Sequence, residues 1–262
     1  MALTDKLTAI ADAIRAKTGG TDALTLDGMA EAVAGIEAGG GVDLAKAIVE
    51  RTVTEVSDAS IETVGHNAFA YCRSLLHVDL SACKTVSTEA FRYCEELVSV
   101  NLPACTTVSK DAFLYCQSMV SVSLPACSTL NNGALSYCKT LTSVDIPMCT
   151  SLLSNAFSRC FALESIDLPA CKLIETNAFY SCYSLKSVIL RSESMCSLKN
   201  TNAFNLCCHI LGTVDATYNP EGLKDGYIYV PDALVDDYKA ATNWSTYADQ
   251  IKPLSEYVEV TA

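Results

Sequence analysis

The sequence contains few of the residues and motifs that carry chemistry in proteins. It has only three histidines, His66, His77 and His209, and no Cys/His/Asp arrangement at catalytic spacing surrounds them. It has no Cys-x-x-Cys pair that would indicate a zinc ribbon, and the glycines at residues 39–41 match neither a dinucleotide-binding loop nor a P-loop. We therefore expect no catalytic residues, no metal site and no cofactor, and we interpret the chain as a non-enzyme.

Basic residues and long apolar runs are also scarce. Eighteen Lys and Arg residues stand against thirty Asp and Glu, so the formal net charge is −12, and nucleic-acid phosphates would repel such a surface. No apolar run approaches a membrane-spanning length, so no membrane insertion is expected. Residues 1–6 lack the basic and apolar regions that begin a Sec signal peptide. These features predict a protein made in a cytosol with reduced cysteines.

Cysteine, by contrast, is abundant and evenly spaced. Two series share a step of 22 residues and are offset from each other by 11. The first is Cys72, Cys94, Cys116, Cys138, Cys160 and Cys182, and the second is Cys83, Cys105, Cys127, Cys149 and Cys171. A fixed period over so long a stretch indicates one repeated structural unit. Such a stack contacts its partners through an extended face.

The repeated unit predicts a solenoid. Aligned on the cysteines, it reads Ala-Phe-x-x-Cys-x-x-Leu-x-x-Val-x-Leu-Pro-Ala-Cys-x-x-Val. The Val-x-Leu part alternates apolar and polar residues, as a strand with one buried face does. Proline then ends the strand, because it cannot continue the ladder. We expect a right-handed solenoid of parallel β strands, with about six to seven 22-residue coils over residues 57–213.

Both ends of the chain depart from this pattern. Residues 1–38 have the apolar spacing of short helices, and residues 39–56 follow as a linker and first cap strand. Short helices bury little surface alone, so the apolar residues of this small N-terminal helical segment are predicted to serve attachment or oligomerisation. They are Leu3, Leu7, Ile10, Ile14, Met29, Val33 and Ile36. Residues 214–262 are predicted to form an α/β cap in which Trp244 covers the end of the array.

The unit Ala-Phe-x-x-Cys-x-x-Leu-x-x-Val-x-Leu-Pro resembles the BspA-like leucine-rich repeats of bacterial surface proteins. Residues 229–244 resemble the end piece of such arrays in gut Firmicutes and their phages. Residues 7–15 and 24–29 are similar to leaders of phage structural proteins of those hosts. The resemblance implies a leucine-rich repeat solenoid that binds host proteins, glycans or cells without catalysis, and it assigns no binding residue.

Three functions follow as hypotheses. Surface-anchored relatives carry an export signal and a wall anchor, and the sequence shows neither. It therefore favours a phage virion component, such as a tail fibre or host-recognition protein. Its N-terminal segment would contact other virion proteins or form a homo-oligomer, and its repeats would face a host surface protein or glycan. The alternatives are a BspA-type adhesin on the bacterial cell surface and a structural spacer.

The cysteine series allow two interpretations. Thiols one coil apart would lie within disulfide distance, but cysteine is also a small residue that is commonly buried. We favour buried core positions. Cys208 lies off the regular series, beside Cys207, so it is predicted to be the exposed thiol.

An aromatic row is the candidate ligand-facing surface. Tyrosines precede four cysteines of the first series, and two further aromatic residues follow later cysteines. The set is Tyr71, Tyr93, Tyr115, Tyr137, Phe161 and Tyr183. Tyrosine offers amphipathic contact area to a glycan or protein, but rings stacked on one another would also stabilise the edge of the solenoid. The outward strand positions, which are rich in Ser and Asp, form a second polar surface that could hydrogen-bond a glycan.

Overall fold

Two short parallel strands build each coil of the solenoid. The structure is a computed structural model that describes residues 53–258, so the N-terminal helical segment and its seven attachment residues lie outside the described residues. The coil strands are β1 (Glu55–Ser57), β2 (Thr63–Val64), β3 (His77–Asp79), β4 (Thr85–Val86), β5 (Ser99–Asn101), β6 (Thr107–Val108), β7 (Ser121–Ser123), β8 (Thr129–Leu130), β9 (Ser143–Asp145), β10 (Ser151–Leu152), β11 (Ser165–Leu168), β12 (Leu173–Ile174), β13 (Ser187–Leu190) and β14 (Ser197–Leu198).

Equivalent strands of successive coils pair in parallel. The first strands form the five-stranded order β1-β3-β5-β7-β9, and the second strands form a seven-stranded sheet from β2 to β14. Pairing joins residues one repeat apart, such as Val78 with Val100 and Val86 with Val108. The valines point into the core and the Ser, Asn and Asp residues between them point outward. The predicted leucine-rich repeat solenoid is confirmed.

A turn with two left-handed residues closes each of the first six coils. In the first coil these are Asn67 at φ 57° and Tyr71 at φ 62°, and the pattern recurs along the array. A non-glycine residue is strained in this region. Here the Tyr71 N–H donates to the Arg92 carbonyl of the next coil at 2.7 Å. The turns thus form a third inter-coil ladder, whose hydrogen bonds offset the strain.

Phenylalanines stack through the core beneath these turns. Phe69, Phe91 and Phe113 have ring centroids 5.1 Å apart and are nearly parallel. Leu135 takes the fourth place, and Phe157, Phe179 and Phe204 continue the stack at 5.6 and 5.4 Å. Each such pair stabilises the fold by about 0.5–1.5 kcal/mol beyond the area that it buries.

The C-terminal cap extends one sheet and covers the last coil. It comprises the helix α1 (Cys208–Leu211), the strand β15 (Tyr227–Val230), the helix α2 (Val235–Ala240) and the strand β16 (Ile251–Pro253), with short 3-10 turns between them. The strands β15 and β16 join the four-stranded order β11-β13-β15-β16. The predicted α/β cap is confirmed.

Aromatic side chains of the cap complete the hydrogen bonding of the last coil. The indole Nε1–H of Trp244 donates to the Cys196 carbonyl at 2.7 Å, and the Cys196 N–H donates to the Tyr238 hydroxyl at 2.7 Å. The ring of Tyr247 meets Phe204 edge-on at 5.2 Å. The cap therefore ends the phenylalanine stack and satisfies backbone groups at an edge that would otherwise be open to pairing.

All fourteen cysteines are buried free thiols. Those of the first series donate across coils, as when the Cys116 thiol bonds the Phe91 carbonyl at 3.2 Å. Those of the second series close a local turn, as when the Cys127 thiol bonds the Thr129 carbonyl at 3.2 Å. The regular cysteines therefore combine the size of a small core residue with a weak hydrogen-bond donor.

The prediction that Cys208 is exposed is wrong. Its exposed fraction is only 3%, and its thiol faces the Leu206 carbonyl at 3.8 Å. The chain leaves the repeat pattern after Cys207 and enters α1 at once. That helix turns Cys208 inward with His209 and Ile210.

We expect the thiols of the folded protein to resist alkylation and disulfide exchange. Reaction requires a solvent-accessible thiolate, and burial raises the pKa of Cys149 to about 12. Hydrogen bonds from Cys105 and Cys196 lower the pKa of Cys83 and Cys171, but both thiols are fully buried. A chromogenic disulfide reagent should react slowly in buffer and with fourteen thiols in denaturant. Rapid reaction of several thiols in buffer would contradict this account.

Removing one cross-coil thiol should destabilise the array measurably. Cys116→Ala deletes a buried sulfur and its hydrogen bond to the Phe91 carbonyl. That carbonyl still accepts a hydrogen bond from the Cys94 N–H. We expect a loss of about 1 kcal/mol in the free energy of unfolding, measured by urea denaturation. Ser121→Ala, at a partly exposed position of β7, is the control and should change the free energy of unfolding by less than about 0.5 kcal/mol. Equal effects would refute a structural role for the thiol.

Candidate binding surfaces

Four of the candidate aromatic residues form one continuous stack at the turns. The ring centroids are 4.9 Å apart for Tyr71 and Tyr93, 4.6 Å for Tyr93 and Tyr115, and 4.1 Å for Tyr115 and Tyr137. All four side chains are half-buried. We call this set the tyrosine stripe. Its geometry follows from the left-handed turn residue, which places the same side chain at the same point of each coil.

Stacking limits what the tyrosine stripe can offer a ligand. Tyr93 and Tyr115 each carry a tyrosine ring on both faces, with interplanar angles between 5° and 25°. At the far end, the Arg159 guanidinium lies 4.7 Å from the Tyr137 ring centre and donates to its hydroxyl. The stripe therefore presents ring edges and hydroxyl groups, whereas a sugar that stacks on an aromatic side chain needs an open ring face.

The hydroxyl groups of the stripe interact with one another. Hydrogen bonding with Tyr137, together with burial, raises the pKa of Tyr115 to about 12. The Arg92 guanidinium carbon lies 5.0 Å from the Tyr93 ring centre, and its Nη1 pairs with Glu89 at 2.8 Å. These contacts keep the edge of the solenoid well ordered.

The other two candidate aromatic residues belong to a separate group. Phe161 and Tyr183 stack with ring centroids 5.0 Å apart, and Tyr218 from the loop after α1 packs on Tyr183 at 5.0 Å. The loop is held by His209, whose ring nitrogens contact the Asp225 carboxylate and the Tyr218 carbonyl. This group therefore joins the repeat array to the cap.

The outward positions of the first strands make a second surface, which we call the strand face. Cross-strand hydrogen bonds fix its polar groups: the Asn101 amide donates to Asp79 at 3.1 Å, and the Ser123 hydroxyl donates to Asp145 at 2.9 Å. Asp167 receives two bonds from the Arg191 Nε–H, at 2.8 and 3.0 Å. The carboxylates thus have fixed positions.

Sequence reasoning missed the aromatic end of the strand face. Tyr227 and Tyr229 point outward from β15, and Tyr257 packs near them, with 4.9 Å between the ring centroids of Tyr229 and Tyr257. Their rings are inclined to one another by 61° and 59°. The alternation of the sequence Tyr-Ile-Tyr-Val is the signal that could have found the first two.

Between residues 53 and 258, no three His, Cys, Asp or Glu side chains lie close enough to share a metal ion. His66 and His77 each hydrogen-bond a group of the next coil, at 2.7 and 2.9 Å. Within the same range, no helix is both long and apolar enough to cross a membrane.

Several solved structures share this fold. A leucine-rich cell surface protein from Faecalibacterium prausnitzii is 24% identical, with a TM-score of 0.51 over 70% of this chain and 56% of that chain. A leucine-rich repeat protein from Bacteroides ovatus is 21% identical, with a TM-score of 0.52 over 70% and 50%. This chain therefore spans about half the length of those proteins. At such identity the likeness concerns the fold.

A family model identifies the repeats directly. The model of the BspA type leucine-rich repeat region matches residues 53–161 and 106–218. No curated protein matches the chain. The resemblance to BspA-like repeats is confirmed, while the gut Firmicutes or phage origin and the phage-like leader stay predictions. Because the matches together span residues 53–218, well over half of the sequence, the chain belongs to the BspA-type leucine-rich repeat family.

Proposed function

We propose that this protein is a non-enzymatic binding scaffold of the BspA adhesin type at a bacterial cell surface, where it binds a host surface protein or glycan. The match of residues 53–218 to BspA-type repeats carries the proposal. The structurally similar Faecalibacterium prausnitzii protein is described as a cell surface protein, which supports the same location. This is the adhesin hypothesis that the sequence offered as an alternative.

The distribution of side chains supports binding over catalysis. The thiols and phenylalanines are buried, whereas the strand face presents hydroxyl, amide and carboxylate groups at fixed spacing. A repeat array that holds such groups on several coils suits an extended ligand. In the described residues, the thiols are buried, and no three His, Cys, Asp or Glu side chains are grouped as metal ligands.

The virion hypothesis has less support. It depends on residues 1–38, which lie outside the described residues, and the similar solved proteins reported above are bacterial. It stays a prediction, together with contacts to other virion proteins and homo-oligomer formation through that segment.

Surface exposure and host binding test the proposal together. Antibody against the full chain should label intact bacteria that produce it, and the purified full chain should bind cultured epithelial cells or immobilised mucin. Bacteria lacking the gene and an unrelated purified protein of similar charge are the controls. Detection only inside cells or only in purified phage particles would contradict a cell-surface function.

Tyrosine variants separate stabilisation by the stripe from binding through it. Tyr93→Phe keeps the stack and removes one hydroxyl, so we expect unchanged host binding and a stability change within about 0.5 kcal/mol. Tyr93→Ala removes two stacked contacts, so the free energy of unfolding should fall by about 1–3 kcal/mol. Denaturation curves and cell-binding titrations give both readouts. A severalfold loss of binding in Tyr93→Phe, with stability retained, would instead show that the stripe hydroxyls contact the ligand.

A further inference from the structure

We propose that a neutral glycan chain binds along the strand face and stacks at its C-terminal end on Tyr227 and Tyr229. This assignment rests on the proposed binding function and names both the face and the ligand class. It differs from the tyrosine stripe, whose inner rings are covered on both faces.

The centre of the strand face is a row of small side chains. Ser99 lies opposite Ser121 in the ladder, Ser121 opposite Ser143, and Ser165 opposite Ser187. The first three serines belong to the five-stranded sheet, and the last two belong to the four-stranded sheet that starts in the next coil. At about 4.8 Å per strand, the row from Ser99 to Tyr227 extends about 24 Å. We call it the serine trough.

Polar groups line one side of the serine trough. They occupy the second outward position of β5, β7, β9 and β11, at Asn101, Ser123, Asp145 and Asp167, whereas Ile189 takes this position in β13. Asp145 and Asp167 are exposed, and their oxygens are held by Ser123 and Arg191. A carboxylate accepts strong hydrogen bonds from hydroxyl groups, and serine both donates and accepts. The trough therefore offers the partners that a polyhydroxylated ligand needs, one set for each coil from β5 to β11.

Tyrosine rings form the wall at the end of the trough. Tyr227 lies opposite Ser187 in the strand pairing, and a serine is too short to cover a phenol ring. The Lys252 Nζ of β16 lies 5.6 Å from the Tyr227 ring centre, so the side toward Ser187 is the one left for a ligand. The tilted packing of Tyr227, Tyr229 and Tyr257 likewise avoids the face-to-face covering of the stripe. All three are half-buried, so each has accessible surface.

Charge selects a neutral ligand. The first strands of the seven coils are β1, β3, β5, β7, β9, β11 and β13. Their outward positions carry Glu55, Asp79, Asp145 and Asp167 but no lysine or arginine. The nearby cations are paired, Arg191 with Asp167 and Lys252 with Glu256. Uronic or sialic acid groups would meet repulsion from the carboxylates, whereas neutral sugar hydroxyls would donate to them. A basic peptide also matches this charge, but the row of serine hydroxyls and the tyrosine rings at its end favour a sugar.

Titration of the full chain with defined oligomers tests this proposal. The probes are neutral hexasaccharides of glucose, mannose and N-acetylglucosamine, a hexagalacturonate and a hexalysine. Ser165→Lys places a long side chain across the trough, and Tyr229→Ala removes one ring. Ser197→Lys, at an exposed serine on the opposite sheet, is the matched control. Thermal melting verifies that each variant is folded.

We expect at least one neutral hexasaccharide to bind the wild type and Ser197→Lys equally. Its affinity should fall by about tenfold or more in Ser165→Lys and Tyr229→Ala, which is about 1.4 kcal/mol. Equal affinity in Ser165→Lys and the wild type would overturn the assignment of the face but leave the binding function intact. Binding of hexalysine or hexagalacturonate alone, or of no probe, would overturn the neutral glycan. The host-cell assay judges the binding function separately.

Discussion

The parallel, one-repeat register is the constraint on which the rest of the structure depends. It places each side chain directly over its equivalent in the preceding coil, at about 4.8 Å. A residue type that recurs at one position of the repeat must therefore pack well against copies of itself. Phe91 between Phe69 and Phe113 meets this requirement by parallel stacking. Cys116 meets it by bonding the Phe91 carbonyl one coil earlier. The cap ends the phenylalanine column by placing Tyr247 on Phe204, and it hydrogen-bonds the backbone of Cys196, which follows Cys171 of the second cysteine series.

The same register separates residues that stabilise the array from residues that are free to bind. Columns that point inward, or that cover one another as Tyr93 and Tyr115 do, contribute their surface to cohesion between coils. Columns of short polar side chains, such as Ser99, Ser121 and Ser143, leave room above the sheet. Ligand binding is therefore best assigned to the columns of short polar side chains. The cysteines and stacked tyrosines act mainly as structural elements.

The sequence predicted the features that recur with the 22-residue period, and the prediction failed for residues that lie beyond the last regular repeat. The 22-residue step is sufficient to predict coils, buried cysteines and the tyrosine column. It does not reveal that the rings lie 4.1–4.9 Å apart with their faces covered, because this depends on side-chain packing. Cys208 was mispredicted because α1 begins there, outside the repeat. Tyr227 and Tyr229 were missed as site residues because only the pairing of β15 with β13 places Tyr227 opposite Ser187 and Tyr229 opposite Ile189.

Hydroxyl-radical footprinting of the full chain tests the central claim most directly, because it reports the solvent exposure of tyrosines on both surfaces in one experiment. The protein would be oxidised with and without a saturating neutral glycan ligand, and modified residues would be located by mass spectrometry. The account predicts protection of Tyr227 and Tyr229 by the ligand, with Tyr93 and Tyr115 unchanged. Protection of Tyr93 and Tyr115, with Tyr227 and Tyr229 unchanged, would contradict it.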